Sequence, residues 1–516
     1  MMKRIWSGFF LATVLLALQS CSGGLGDRPL AILVSVESRT FDPHFASSTI
    51  EWSFLMNIFD ALVIRRDNMT LGPGLAERWE IDNTRKVWTF HLRKGVKFTN
   101  GEPFDARSVK FTFERMVNRK LRARTTIARR MALDRVEIVN DHTVRIHTRR
   151  PVATLPSWLV NAFMLAPKYY GETSPKEVLR KPVGTGPYKL VKWVKDDFIR
   201  MEANENWWKG KPNIEVVEWR PVPEVSARIA ELEAGTADII TNISPDQGAM
   251  FARGERGNQL RGIHGGRRIY IGIRQNYEPF KDKRVRQAMN YAVNFSLIAQ
   301  SILSGHGMRL ATVVNPPNSD QSIKAYPYDS RKAKALLAEA GLKDTDGDGV
   351  LEKDGKPVVV KLDVPAARYL KGKEMSESIA ENLRAVGIKV EVNPLEWSVY
   401  LSRRRKKAFS ALYFHGFSSA FNAELDLGVL RPNLYANLTH WINPEFIEKY
   451  SRLGQTFDPK ERKKISYRMQ NIVYEDAPWI FLWNQYDFYG LSPRVKWIPR
   501  PDERIYLPSI VLKGAK

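Results

Sequence analysis

The longest apolar stretch, Ile5 to Leu18, stands behind Lys3 and Arg4 and runs into Leu18-Gln19-Ser20-Cys21. Fourteen residues are too few to cross roughly 30 Å of hydrocarbon; a basic start, a short apolar body and a small-residue exit form a secretory signal peptide, here residues 1–20. Beyond it, runs give way to periodicities. Leu30 to Val36 alternates weakly and predicts a strand, and Glu51 to Leu62 sets Phe54, Leu55, Ile58, Phe59 and Leu62 at helical spacing. A β-rich segment follows. Val87 to Leu92 reads as a strand, and Arg135–Val139 and Thr143–Thr148 alternate around Asn140-Asp141-His142 as a hairpin. Between them Asp105 is placed to cap a helix carrying Val109, Phe113, Met116 and Val117 on one side.

The second half alternates helix and strand. Ser226–Ala234 predicts a helix closed by Gly235, followed by a strand at Ala237–Ile240. Val358–Val364, Lys373–Val386 and Ile388–Val392 read as a β–α–β unit, with Met375, Ile379, Leu383 and Val386 aligned on the helix and Gly387 ending it. Asp458-Pro459-Lys460-Glu461 supplies a cap, a proline at the first helical position and an acid three residues past the cap; the helix runs through Ile465, Met469, Ile472 and Val473. There is no repeat of fixed period and no low-complexity linker.

Composition narrows the chemistry. The chain has 516 residues, 43% of them hydrophobic and 26% charged, which fits several folded units. Its single cysteine, Cys21, excludes an intrachain disulfide and any cysteine-built metal site. Cys21 is either the lipidated first residue of a lipoprotein or a free thiol after an ordinary signal, and its place directly behind the apolar body favours the lipid. The formal charge of +24 falls to +22 once Lys3 and Arg4 leave with the signal, and suits an acidic partner without naming one.

Local motifs for catalysis are missing. The eight histidines show no His-Glu-x-x-His, and Gly416-Phe417-Ser418-Ser419 lacks the closing glycine of a nucleophile elbow. Gly184-Thr185-Gly186-Pro187 lacks the lysine of a phosphate loop and reads as a tight turn. Asp344 to Gly349 matches the first half of a calcium loop, but its twelfth position is Gly355, and Asp354-Gly355 suits the centre of a hairpin turn. Two basic runs, Arg403–Lys407 and Arg119–Arg130, read as solvated faces or as an anionic-partner surface, and no nucleic-acid-reading module accompanies them. Trp193, Trp207, Trp208, Trp219, Trp397, Tyr413, Phe414, Phe417, Trp479 and Trp483 lie at segment ends and in polar stretches, where a ring lines a polar cleft or packs a core.

Four blocks resemble the extracellular solute-binding protein family 5, the dipeptide and oligopeptide-binding proteins of bacterial ABC importers. They are Thr40-Phe41-Asp42-Pro43-His44; Leu75–Trp79 with Trp88–Phe98 and Asn100–Ala106; Val183–Tyr188; and Val285–Ala292, with Asp476–Ile480 in agreement. The resemblance implies an α/β fold: a two-lobed, type II periplasmic-binding-protein-like clamshell with an extra β-rich domain in the first lobe. Lobe I would comprise 28–68, 181–269 and 484–516, the extra domain 69–180, and lobe II 270–483.

The same resemblance implies a peptide or peptide-like solute held between the lobes and delivered to an ABC permease and ATPase in the inner membrane, with no bond made or broken. Ser47, Thr49, Trp397, Tyr413, Phe417, Ser418, Ser419 and Glu424 are the expected ligand-binding residues, and Cys21 the lipidation site. No catalytic residue, cofactor, metal or nucleic acid is expected. The protein would be an exported, lipid-anchored monomer, periplasmic or on the outer face of the cell membrane. Peptide binders of the family carry an acid three residues after the aromatic at Phe417, to pair with the peptide amino group; here that position is Ala420. Either Glu424 or Asp426 replaces it, or the solute is a non-peptide polar or anionic molecule. A basic envelope-binding module and a secreted hydrolase are the readings from other classes.

Overall fold

The computed structural model describes residues 28–46, 48–121, 127–251, 257–366, 368–432 and 437–513. The expectations for Cys21, Ser47 and the centre of the Arg119–Arg130 run lie outside them.

Eleven strands of the described residues form one sheet that passes through both halves of the molecule. In the first half Leu30–Val34 lies between two parallel neighbours, Val216–Pro221 and Ile239–Ile240. All five of its residues are buried, so it carries a run of apolar residues in place of alternation. In the second half Val359–Pro365 pairs in parallel with Lys389–Leu395, and the connecting helix Gly372–Arg384 buries Met375, Ile379 and Leu383. The predicted β–α–β unit is therefore present.

Two long antiparallel strands, Gln259–Ile273 and Trp479–Leu491, cross between the halves. Their pairing shifts register between His264 and Arg268, a bulge at the crossing point. The glycines there have a steric reason: a Cβ on Gly265 would lie 2.2 Å from the Asp487 carboxylate, and one on Gly266 2.8 Å from the Phe421 ring. Past the bulge Gln259–Ile273 takes Leu412–Ser418 as its other neighbour. Alternation then feeds two cores: Ile269, Ile271 and Ile273 join Leu412 and Phe414 on one face, and Tyr270 joins Tyr413 and Trp479 on the other.

The apolar cores of the two halves are separate. One unites Leu30, Phe54, Trp219 and Tyr489, with a smaller satellite around Leu33 and Phe488; the second half holds its own two. The β-rich segment is a four-stranded antiparallel sheet with the helix Ala106–Val117, capped by Asp105, whose carboxylate accepts the Arg107 N–H at 2.8 Å. Its Phe90, Phe113 and Val144 belong to the same core as Leu30 and Phe54, so it is built onto the first half without an apolar gap.

One helix is shorter than its periodicity predicts. Thr49–Ile58 stops before Phe59 because the Val183–Tyr188 turn folds over its end: Gly186 N–H donates to the Ile58 carbonyl at 2.9 Å. A Cβ on Gly184 or Gly186 would stand 2.1 Å or 2.5 Å from Ile58 backbone atoms, which explains both glycines.

Candidate functional site

Side chains from several segments meet where the two long strands cross. The register Arg267 to Ser418 and Arg268 to Asn484, with strand alternation, puts Ser418, Arg267, Gln485 and Asp487 on one face. Arg267 pairs with Glu503 of the C-terminal segment at 2.5 Å, and Ser418 Oγ donates to the same carboxylate at 3.4 Å. Burial opposes the Arg267 charge, but Glu503 more than compensates and raises its pKa. Gln485 Nε2 donates to Asp487 Oδ1 at 2.6 Å, while Asp487 Oδ2 is buried without a hydrogen-bond partner. Burial, reinforced by Glu503 and opposed by the Gln485 bond and Arg267, pushes the Asp487 carboxyl up to about 8. From the second half, Arg368 sets its guanidinium 5.5 Å from the Trp397 ring and 5.4 Å from that of Tyr369. Its pKa is lowered by the protein around it and by Arg267, with Glu503 pulling the other way.

The opposite face carries Phe417 and Arg268, whose guanidinium sits 5.5 Å from the Phe417 ring. Arg268 donates to the Val313 carbonyl and pairs with Asp426 at 3.2 Å, both partners being almost fully buried. Asp426 also receives Ser419 Oγ–H at 2.7 Å and the Ala420 N–H at 2.9 Å, so residues 419–420 are wrapped around it. Burial holds the Asp426 pKa above the ordinary carboxylate value, against Arg268 and these hydrogen bonds. Phe421 adopts φ 51°, its N–H donates to Ser419 Oγ, and its ring lies 5.8 Å from the Arg65 guanidinium of the first half.

Other contacts join the halves. Ala153 N–H donates to the Gly454 carbonyl at 3.0 Å, Asn422 Nδ2 to Ser157 Oγ at 3.2 Å, and Lys371 Nζ to Asp246 at 3.1 Å. These bonds bridge the two halves.

The expected site residues divide. Phe417, Ser418, Ser419 and Trp397 are half-buried at this junction. Tyr413 is not in the cleft: it is 1% exposed, with its ring stacked 4.9 Å from Phe409 in the second-half core, because it shares the face of Phe417 but lies four residues deeper along the strand. Glu424 is occupied by Arg462 at 3.2 Å. Thr49 opens the helix Thr49–Ile58, which is tied through Ser53 and Asn57 to the backbone of Ile505 and Leu507, next to Glu503. Of the ten singled-out aromatics, Trp207, Trp219, Tyr413, Phe414, Trp479 and Trp483 are buried.

Motifs away from the junction have structural explanations. Asp42 pairs with Arg115 at 2.6 Å while His44 Nδ1 meets the same guanidinium at 2.8 Å, so the Asp-Pro-His motif bolts the β-rich domain to the first half. Burial first, with Arg115 adding to it and Asp42 opposing, takes the His44 pKa down to about 3. Asp354 and Gly355, at φ 52° and 72°, form the expected hairpin turn. The calcium-like loop brings Asp344, Asp346, Asp348 and Glu352 oxygens within 4.8 Å, and Glu352 accepts from both the N–H and the hydroxyl of Thr345. In the basic run Arg403 is bound to the buried Asp363 at 2.9 Å.

Arg267, Arg368, Asp487 and Glu503 were not among the expected residues. Gly265-Gly266-Arg267-Arg268 inside a strand signals a bulge, and Asp487 is the single acid in the aromatic run Trp479–Leu491.

Residues 70–428 match the model of the bacterial extracellular solute-binding proteins, family 5 (middle). Heme-binding protein A of Haemophilus influenzae is 31% identical across 85% of this chain and 84% of its own length. The oligopeptide-binding protein AppA of Bacillus subtilis is 27% identical across 83% and 80%. In structure, NikA from Brucella suis in complex with Fe(III)-EDTA superposes with a TM-score of 0.86, covering 94% of this chain and all of that one at 24% identity.

Proposed function

Since the chain belongs to the bacterial extracellular solute-binding proteins of family 5, the capture components of ABC importers, we propose that it takes a peptide or peptide-like solute between its two lobes. The observation that carries this reading is the junction of the two halves, where Arg267, Glu503 and Asp487 of the crossing strands and C-terminal segment stand beside Ser418 and Arg368 of the second half. A solute touching both sides stabilises the closed state by the difference between its affinities for closed and open forms. Lobe I is assigned to 28–68, 181–269 and 484–516, the extra domain to 69–180 and lobe II to 270–483; the division of the apolar cores supports the lobe boundaries. Solute leaves unchanged, and the protein acts as a monomer outside the cytoplasm.

The test is to identify by mass spectrometry the small molecules that co-purify with native protein, then add them back. The melting temperature rises with concentration, because a ligand of the native state alone stabilises it by RT ln(1 + [L]/Kd), and the same molecule is recovered afterwards. Stoichiometric conversion to a product overturns the reading. The anchor is Cys21 acylated behind the signal peptide: among the described residues no helix is long and apolar enough to cross a membrane. Cys21→Ser should release the protein into the soluble envelope fraction, or leave the signal uncleaved. A processed variant that stays membrane-bound argues against the anchor.

A second reading, a non-peptide polar solute, is favoured by the occupation of Glu424 and Asp426 by arginines.

A further inference from the structure

Of five acids that the described residues place around the junction, four have an arginine: Asp426 has Arg268, Glu424 has Arg462, Glu503 has Arg267 and Asp502 has Arg500. The fifth, Asp487, has only the neutral Gln485 amide on one oxygen. Its other oxygen is buried and bonded to nothing, although the residue as a whole is half-buried beside the face that carries Arg267 and Ser418. Buried carboxylate oxygens in native proteins are almost always satisfied, so an orphan at a ligand junction marks a place where a donor arrives. The strand opposite it makes the room: Gly265 offers no side chain toward that oxygen.

Resting on the capture reading above, we propose that Asp487 is the anchor for a cationic group of the solute, a primary ammonium or guanidinium. It does from the crossing strand what Ala420 cannot do from the loop. The acids weighed for this task, Glu424 and Asp426, are committed to Arg462 and Arg268, and taking either away would strand a mostly buried guanidinium. Asp487 has no such debt. The groups facing it are Arg267 on the neighbouring strand, Glu503 of the C-terminal segment and Tyr489 on its own strand, and burial, reinforced by the Glu503 charge, favours a proton on Asp487. A cationic solute takes that proton's place, and the proton goes to the buffer.

The experiment uses the mature full chain and a pool of tri- to pentapeptides free of Lys, Arg and His, before and after N-acetylation. Binding is read by ultrafiltration with mass spectrometry, and proton release by calorimetry at pH 7 in buffers of different ionisation enthalpy. Wild type should retain unmodified peptides at least thirtyfold more strongly than acetylated ones, with close to one proton released per peptide. Asp487→Asn should lower the preference below threefold and abolish the release. Gly265→Ala, which presses a methyl group against the carboxylate without changing charge, should lower the preference likewise, and decides the matter if the Asn variant does not fold. A preference that survives both substitutions, or equal binding of the two pools by wild type, overturns the anchor and leaves capture standing. If neither pool binds, the co-purifying solute decides: a molecule with an amine or guanidine that is lost from Asp487→Asn supports the anchor, and one without either overturns it. If nothing binds and nothing co-purifies, capture itself fails and the anchor with it.

Discussion

Two aspartates, Asp426 and Asp487, stand on opposite sides of the same junction and differ in their partners. Asp426 is surrounded by donors: a buried guanidinium, a hydroxyl and a backbone N–H. Asp487 has one amide, and its other oxygen is buried without a hydrogen-bond partner. A carboxylate whose partners are all internal holds a loop in one shape, whereas a buried carboxylate oxygen without a partner costs stability. The loop after Phe417, the place where the family pattern leads one to look for an amine anchor, is here a rigid support. The crossing strand carries the open chemistry.

The largest expected effect breaks this contrast at Asp426. Asp426→Ala leaves Arg268 buried without its carboxylate and frees the 419–420 backbone, so the unfolding free energy should drop by about 3–5 kcal/mol, the usual cost of removing one partner of a buried pair. Asp487→Ala should destabilise far less, and near neutral pH should even stabilise, since its carboxylate has few bonds to lose and its buried charge is disfavoured. Urea titrations of both variants at one pH measure the difference. Equal losses would mean that the two acids are structural alike.

The next effect is a slope. An acid whose folded-state pKa is raised holds a proton that the unfolded chain has released, so its contribution to stability falls as pH rises between about 4 and about 8. For one proton the slope reaches about 1.4 kcal/mol per pH unit at most. His44 acts in the opposite sense at lower pH: kept neutral by burial down to about 3, it loses stability as pH falls below 6.5. Subtracting the Asp487→Asn profile from wild type removes the His44 part and should leave a difference that declines from pH 4 to 8. A flat difference would show that Asp487 is ordinarily ionised in the empty protein.

Much of the fold was legible because local rules and tertiary demands agree. The cap at Asp458, the parallel β–α–β unit and the Asp354-Gly355 turn are each specified within a few residues, and each formed as read. The helix Thr49–Ile58 was over-read, because what stops it is a glycine turn more than a hundred residues away. The site was legible only in part. Phe417 to Ser419 stood out through family pattern, but their partners come from strands joined by register, and register is invisible in one sequence. Tyr413 lies on the same strand face as Phe417 but four residues deeper, in the core, and depth along a strand depends on neighbours that one sequence does not show. Asp487 left a trace, a lone acid in an aromatic run, without a way to tell an unpaired carboxylate from one met by a distant arginine.

The smallest expected effect sharpens the comparison from the Asp426 side, where the supporting loop reaches the first half through Phe421 as well as through Asn422. Phe421 is held at positive φ by its bond to Ser419, and this turns its ring toward Arg65 of the first half at 5.8 Å. Arg65 is itself crowded: burial and the neighbouring Arg504 lower its pKa to about 10, with Asp502 and Asp426 opposing. A cation over an aromatic face at a partly exposed site contributes about 0.5–1 kcal/mol, and this one exists only when the lobes are together. Arg65→Gln should therefore leave the solute's own contacts intact and tax closure, weakening apparent affinity about two- to fivefold through a smaller closed population. The signature is a faster dissociation rate with little change in association, since the contact forms after the solute has landed. A change in association alone would place Arg65 in steering the solute inward, and would make the loop part of the entrance.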